Sequence, residues 1–143
     1  MAGEPSLPLA GLALHHVAVV VADLPAARAQ YARLGLPLPH AEDVPDQRVL
    51  VETFAVGPGY VELIQPTDPD GPIARYLAKR GEGLHHVAYS VPDIDAALRQ
   101  LGERGVRLID TAPRRGAHGW RVAFIHPESC AGVLTELVEV EPA

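Results

Sequence analysis

A chain of 143 residues that is 48% hydrophobic carries enough apolar side chains for one ordinary core, and its formal charge of −6 disfavours a nucleic acid or an anionic membrane as partner. A single cysteine, Cys130, excludes an internal disulfide and a thiolate cluster for zinc, and reads as a small buried apolar residue. No apolar run approaches the roughly 18 residues of a membrane span, and the opening MAGEPSLPLAGLA lacks the basic start and long apolar stretch of a signal peptide, so the expectation is a cytoplasmic protein that acts on a small molecule.

The first element is a valine-rich strand beginning at Leu14, in LHHVAVVVAD. Neighbours on a strand point to opposite faces, which groups His15 with Val17, Val19 and Val21, and His16 with Ala18 and Val20. The bulkier face suits packing against a helix, while the smaller side chains leave space beside His16. Asp23 is placed to cap a helix, in which Leu24, Ala27, Tyr31 and Leu34 fall on one stripe, and Gly35 ends it. Strand-like segments follow at about 36–39, 47–56 and 60–65, with Gly57-Pro58-Gly59 as a turn between the last two. The connector PTDPDGPIARYLAKRGEG holds Ile73, Tyr76, Leu77 and Arg80 at the spacing of a short helix that stops at Gly81.

At Leu84 the opening returns. Residues 14–38 and 84–108, offset by 70, are identical at 12 of 25 positions, and both begin LHHVA. Similarity at a fixed offset marks a duplicated structural unit. In the second copy Asp93 is the cap, Ile94, Ala97, Leu98 and Leu101 form the stripe, Gly105 is the stop, and strands are expected at 106–110, 120–126 and 132–139. The fold class is therefore α+β: a single domain, 1–143, of two pseudo-symmetric βαβββ modules, about 12–65 and 84–140, joined by the connector 66–83. The modules are expected to form one curved mixed sheet with the helices outside.

The duplication gives the histidines a meaning that one copy would not. His16 and His86 lie on the small-residue faces of equivalent strands, where two modules can present them to a single divalent ion. The last strands, YVELIQP and LTELVEV, add Glu62 and Glu136 at matching positions, offset by 74. A glutamate in an apolar strand is costly to bury unless something neutralises it, and a metal does so. Two histidines and two glutamates make a nitrogen and oxygen set suited to Co, Mn, Ni, Zn or Mg. Four such ligands leave open positions on an octahedral ion, through which a substrate oxygen is polarised.

With HHVAVVVADL, DGPIARYLAKRGEGLHHVAYSV, GVRLIDTAPRRGAHGWRVAFIHP and GVLTELV, the chain resembles the vicinal oxygen chelate superfamily, whose fold is glyoxalase-like, and within it the methylmalonyl-CoA epimerase family. The resemblance runs from about Leu14 to Val138. Carried over by position it implies the same four metal ligands, His16, Glu62, His86 and Glu136, with cobalt as the foremost ion. It implies interconversion of (R)- and (S)-methylmalonyl-CoA through a metal-stabilised enolate, a CoA thioester as the small-molecule partner, and a homodimer. It also implies Glu52 and Glu136 as the acid/base pair, although aiming Glu52 at the site requires a one-residue bulge before it, since counting from Pro45 puts Val51 there. Arg75, Lys79, Arg80, Arg114 and Arg115 are candidates for the CoA phosphates. Other enzymes of the superfamily, such as glyoxalase I or a dioxygenase, and a metal-free antibiotic-binding protein are the competing readings.

Overall fold

The computed structural model describes residues 12–140, so most of the N-terminal stretch weighed as a signal peptide lies outside the described residues. The chain divides into two compact units, one of residues 16–86 and one of residues 87–140 together with 12–15. Among the described residues no helix is long and apolar enough to cross a membrane.

The first copy runs β1 (Ala13–Val20), α1 (Leu24–Arg33), β2 (His40–Val44), β3 (Val49–Val56) and β4 (Gly59–Pro66), followed by the connector helix α2 (Pro72–Arg80). The second runs β5 (Gly83–Val91), α3 (Ile94–Glu103), β6 (Arg114–Arg115), β7 (Arg121–Ile125) and β8 (Thr135–Glu139). In each copy the opening strand pairs parallel with the last, β1 with β4 and β5 with β8, and the remaining neighbours pair antiparallel, giving β2-β3-β4-β1 and its equivalent β6-β7-β8-β5. These are the two βαβββ modules that the repeat foretold.

Each helix packs on one face of its own strands. Leu24 and Ala27 of α1 meet Phe54 and Leu63, with Leu50, Val61 and Val19 beside them, and Ile94, Ala97, Leu98 and Leu101 of α3 meet Ala123, Ile125 and Leu137. Phe54 and Leu63 are sealed from solvent, and burial of each such side chain contributes about 1.5–3 kcal/mol. Cys130, expected to be buried, is only part-buried against the second of these clusters.

The helix starts repeat as closely as the sequence does. Asp23 accepts a hydrogen bond from Ala26 N (3.1 Å) and Asp93 one from Ala96 N (3.0 Å). The first helical N–H groups, Leu24 N and Ile94 N, donate to Gln65 Oε1 (2.8 Å) and Glu139 Oε2 (3.0 Å), which stand at equivalent places at the ends of β4 and β8. An acceptor at a helix N-terminus satisfies an orphan donor and meets the positive end of the helix dipole. Gly35 and Gly105 end the helices at φ of 94° and 81°, in the left-handed region.

Three expectations need correction. Leu34 is not part of the buried stripe: it is the C-cap of α1 and 72% exposed. The strand expected at 36–39 begins only at His40, because Pro37 and Pro39 have no N–H to donate to a ladder. The strand expected at 106–110 is reduced to one bridge, Leu108 to Ile125, with Ile109 N and Asp110 N both donating to Phe124 O; regular pairing resumes only in the two residues of β6.

The cap geometry yields a stability prediction. Asp93→Ala should lower the free energy of unfolding by about 1 kcal/mol, measured by urea denaturation, and Asp23→Ala should lower it by a similar amount. An unchanged midpoint for both variants would mean that the caps contribute nothing beyond what Gln65 and Glu139 supply.

Candidate functional site

Strand alternation sorts the polar residues of the first copy onto two faces. On β3, Leu50 and Phe54 belong to the cluster under α1, so Val49, Val51 and Thr53 look the other way; on β4, Val61 and Leu63 face the helix and Glu62 and Ile64 look away from it. Register then lines up Ala18, Glu62, Thr53 and His40 across β1, β4, β3 and β2 on the face away from α1. His16, two residues before Ala18, shares that face.

On this face His16 and Glu62 meet. His16 Nε2 lies 3.4 Å from Glu62 Oε1 and 3.3 Å from His86 Nε2, and the three residues are 3%, 6% and 5% exposed. His16 thus turns its ligand nitrogen toward both a second imidazole and a carboxylate in a dry place. Two nitrogens each about 2.1 Å from a common ion stand roughly 3.0–3.4 Å apart for angles between octahedral and tetrahedral, so the imidazole spacing fits one divalent ion. Thr53, 4% exposed and directly across the ladder from Glu62, holds its Oγ1 with no hydrogen-bond partner among the described residues, as expected where a polar ligand shell belongs.

Glu136 occupies the equivalent place in the other unit. Ala88, two residues after His86, pairs with Glu136 as Ala18 pairs with Glu62, and Glu136 is 5% exposed on a face it shares with Val138. Leu137, on the opposite face, packs under α3.

Glu52 is not brought to this face. The ladders β2 to β3 and β3 to β4 run without interruption from Val44 opposite Val49 to Val56 opposite Gly59, so the bulge that would turn Glu52 around is not present. Its side chain lies instead on the helix face, 4% exposed, in a two-bonded ion pair with the Arg28 guanidinium of α1: Nε to Oε1 at 2.7 Å and Nη2 to Oε2 at 2.5 Å. The hydrogen bond and the charge of Glu52 raise the Arg28 pKa above its ordinary value. Val51 takes the position that counting from Pro45 assigned.

The same register shows two residues that sequence reasoning passed over. His40 lies across from Thr53 and Glu42 across from Val51, so both share the face of Glu62, with His40 Nε2 3.4 Å from Glu42 Oε1. Placing β2 at 36–39, four residues too early, hid them. Of the basic candidates for CoA phosphates, Arg75 donates to Asp70 O, Arg80 lies over the Tyr76 ring, and Arg114 pairs with Asp110 at 3.3 Å; Lys79 and Arg115 are exposed. His118, in a segment shared with the family, is exposed and stacks on Trp120.

The position of Glu52 makes a prediction. Glu52→Gln should lower the thermal midpoint, because it leaves Arg28 with half of its partner, and should keep kcat/KM within about threefold of the parent, a change of under 1 kcal/mol in transition-state stabilisation. A fall of several orders of magnitude in a folded variant would show that Glu52 takes part in the chemistry.

Comparison with known proteins agrees with this geometry. The family model described as Glyoxalase/Bleomycin resistance protein/Dioxygenase superfamily matches residues 15–124. The ethylmalonyl-CoA/methylmalonyl-CoA epimerase of Cereibacter sphaeroides is 42% identical over 130 residues, covering 89% of this chain and 97% of the relative. Among solved structures, methylmalonyl-CoA epimerase from Mycobacterium tuberculosis superposes with a TM-score of 0.85 at 42% identity, covering 90% of this chain and 88% of that one. A variant of the Streptomyces coelicolor methylmalonyl-CoA epimerase, in complex with 2-nitronate-propionyl-CoA, superposes with a TM-score of 0.85 at 36% identity, covering 89% and 93%. A duplicated module, a pair of converging histidines and relatives that share nearly its whole length place the chain in the glyoxalase superfamily, and within it in the methylmalonyl-CoA epimerase family.

Proposed function

We propose that the protein interconverts (R)- and (S)-methylmalonyl-CoA at the carbon between thioester and carboxylate, with one divalent ion held by His16, Glu62, His86 and Glu136. The observation that carries this reading is the approach of His16 Nε2 to both His86 Nε2 and Glu62 Oε1 in a buried place. Support comes also from the activity of the Cereibacter relative and the CoA ligand of the Streptomyces enzyme.

A divalent ion bound there supplies a Lewis acid that polarises the thioester oxygen and lowers the cost of the charge that develops as the α proton leaves. The ligand types favour no single ion; cobalt is the choice the family suggests. The protein's own part is to hold the ligands dry and to carry protons. Inversion needs a carrier on each side of the α carbon, because the proton leaves from one face and returns to the other. Glu136 serves one side while remaining a ligand. Glu52 cannot serve the other from behind the sheet, and Glu42, the remaining carboxylate on the Glu62 face of β2 to β4, takes that role in this reading. Lys79 and Arg115 offer exposed charges to the CoA phosphates. The working form is a cytoplasmic homodimer.

Proton exchange tests the reading. Incubated in heavy water with (S)-methylmalonyl-CoA after chelation, the protein should incorporate deuterium at the α carbon only when a divalent ion such as Co²⁺ is restored, with loss of stereochemistry. Folded protein that exchanges nothing under either condition would refute the epimerase assignment. His16→Ala should lose bound metal and exchange together while keeping its circular dichroism spectrum; full metal content in that variant would refute the ligand set. Glu42→Gln should slow epimerisation by about 10²–10⁴ while still exchanging the proton of one enantiomer. Parent-like epimerisation in this variant would remove Glu42 from the mechanism.

A further inference from the structure

The two copies of LHHVA use their first histidines differently. His15 packs edge-on against Trp120, with ring centroids 4.5 Å apart and planes at 89°. His85 turns to its own neighbour: His85 Nδ1 lies 2.8 Å from His86 Nδ1. Adjacent residues on a strand project to opposite faces, so a ring-to-ring hydrogen bond between them is not a default of the strand. The connector helix supplies what holds it. Tyr76 of α2 meets the His85 ring edge-on, with centroids at 4.7 Å and planes at 81°, and its hydroxyl donates to Leu84 O at 3.0 Å. The Arg80 guanidinium lies over the other ring of this pair, 5.5 Å from the Tyr76 centroid.

We infer that His85 is a positioning residue that accepts the Nδ1 proton of His86 in its ligating tautomer and so fixes that ring, and that α2 holds His85 in place through Tyr76. Two nitrogens at 2.8 Å share one proton: two lone pairs or two N–H groups at that distance would repel. If His86 Nδ1 carries the proton and donates to His85, the lone pair of His86 Nε2 faces His16 and can ligate a metal. If His85 Nδ1 carries it, His86 Nε2 is the protonated nitrogen and its N–H points at His16 Nε2, 3.3 Å away, where it blocks ligation. Each arrangement leaves one ring protonated on Nε2 and the other on Nδ1, so the intrinsic preference of imidazole for Nε2 cancels; a metal on His86 Nε2 decides the contact, because it requires the proton on His86 Nδ1, where His85 Nδ1 accepts it. A partner on the far nitrogen of a ligating histidine fixes the ring and raises its basicity. The mate in the first copy, His15, is occupied with Trp120, so the duplicated motif has divided its labour.

This inference rests on the reading of His86 as a ligand, and two measurements separate their failures. In zinc-loaded protein labelled with ¹⁵N-histidine, long-range ¹H–¹⁵N correlations should show His86 protonated on Nδ1 and His85 on Nε2. A proton on His85 Nδ1 in the loaded parent protein would overturn the inference without any variant. His85→Ala should weaken Co²⁺ binding about 10- to 100-fold in chelator competition. His85→Asn, whose side-chain oxygen accepts near the place of Nδ1, should restore the affinity to within about threefold. A folded His85→Ala protein with the parent affinity would also overturn it. If His16→Ala abolishes binding while His85→Ala does not weaken it, the positioning role alone fails; if neither weakens it, the ligand reading fails as well.

Discussion

A buried imidazole, His16, that meets both a carboxylate and a second imidazole is the constraint on which the rest of this protein is arranged. Glu62, His16 and His86 are each less than one-tenth exposed, and His16 Nε2 stands within 3.4 Å of both partners. Bringing such groups out of water costs several kcal/mol per charge unless they neutralise one another or coordinate a cation. The strands around them are correspondingly firm. β1 and β4 pair in parallel register directly beside the cluster, and Leu63, the neighbour of Glu62 on the opposite face, is wholly buried under α1. A residue fixed by packing on one side gives its neighbour a fixed direction on the other, which is how a sheet holds ligands to the tolerance a metal demands.

The modules use both faces of the last strand. Glu62 and Gln65 of β4 are three apart, so they point to opposite faces: Glu62 to the histidines, Gln65 to the first N–H of α1. In the second module Glu136 and Glu139 are spaced the same way, and Glu139 reaches the first N–H of α3. One short strand therefore joins helix capping to the placement of a candidate ligand. A shift of one residue in its register would expose both errors together, which makes the register well specified. The insertion of four residues that separates the offsets of the histidines and the glutamates lies in the connections between strands, where length changes cost little.

Glu52 shows where sequence resemblance and physical position diverge. An acidic residue in the right strand of the right module looks like a proton carrier, yet a single position decides which face it takes. The uninterrupted ladder turns it toward α1, where Arg28 meets both carboxylate oxygens. Arg28 was legible as a charged residue of α1 but not as a partner, since the two are 24 residues apart and meet only when the helix lies on the sheet. His40 and Glu42 were missed for the converse reason: the prolines at 37 and 39 delay β2, and only the observed register places both on the face of Glu62.

By itself the sequence determined the duplicated βαβββ plan, the helix caps Asp23 and Asp93, the glycine stops, and the choice of His16, His86, Glu62 and Glu136 as candidate ligands. All of these depend on local rules, strand alternation, helical spacing and capping, read twice at a fixed offset, so one copy checked the other. Tertiary structure decided which face Glu52 takes, that Gln65 and Glu139 cap the helices, and that His85 leans on Tyr76 to reach His86. Those outcomes depend on ladder register and on contacts between elements distant in the chain, and a shift of one residue or one helix position reverses them without changing the local pattern.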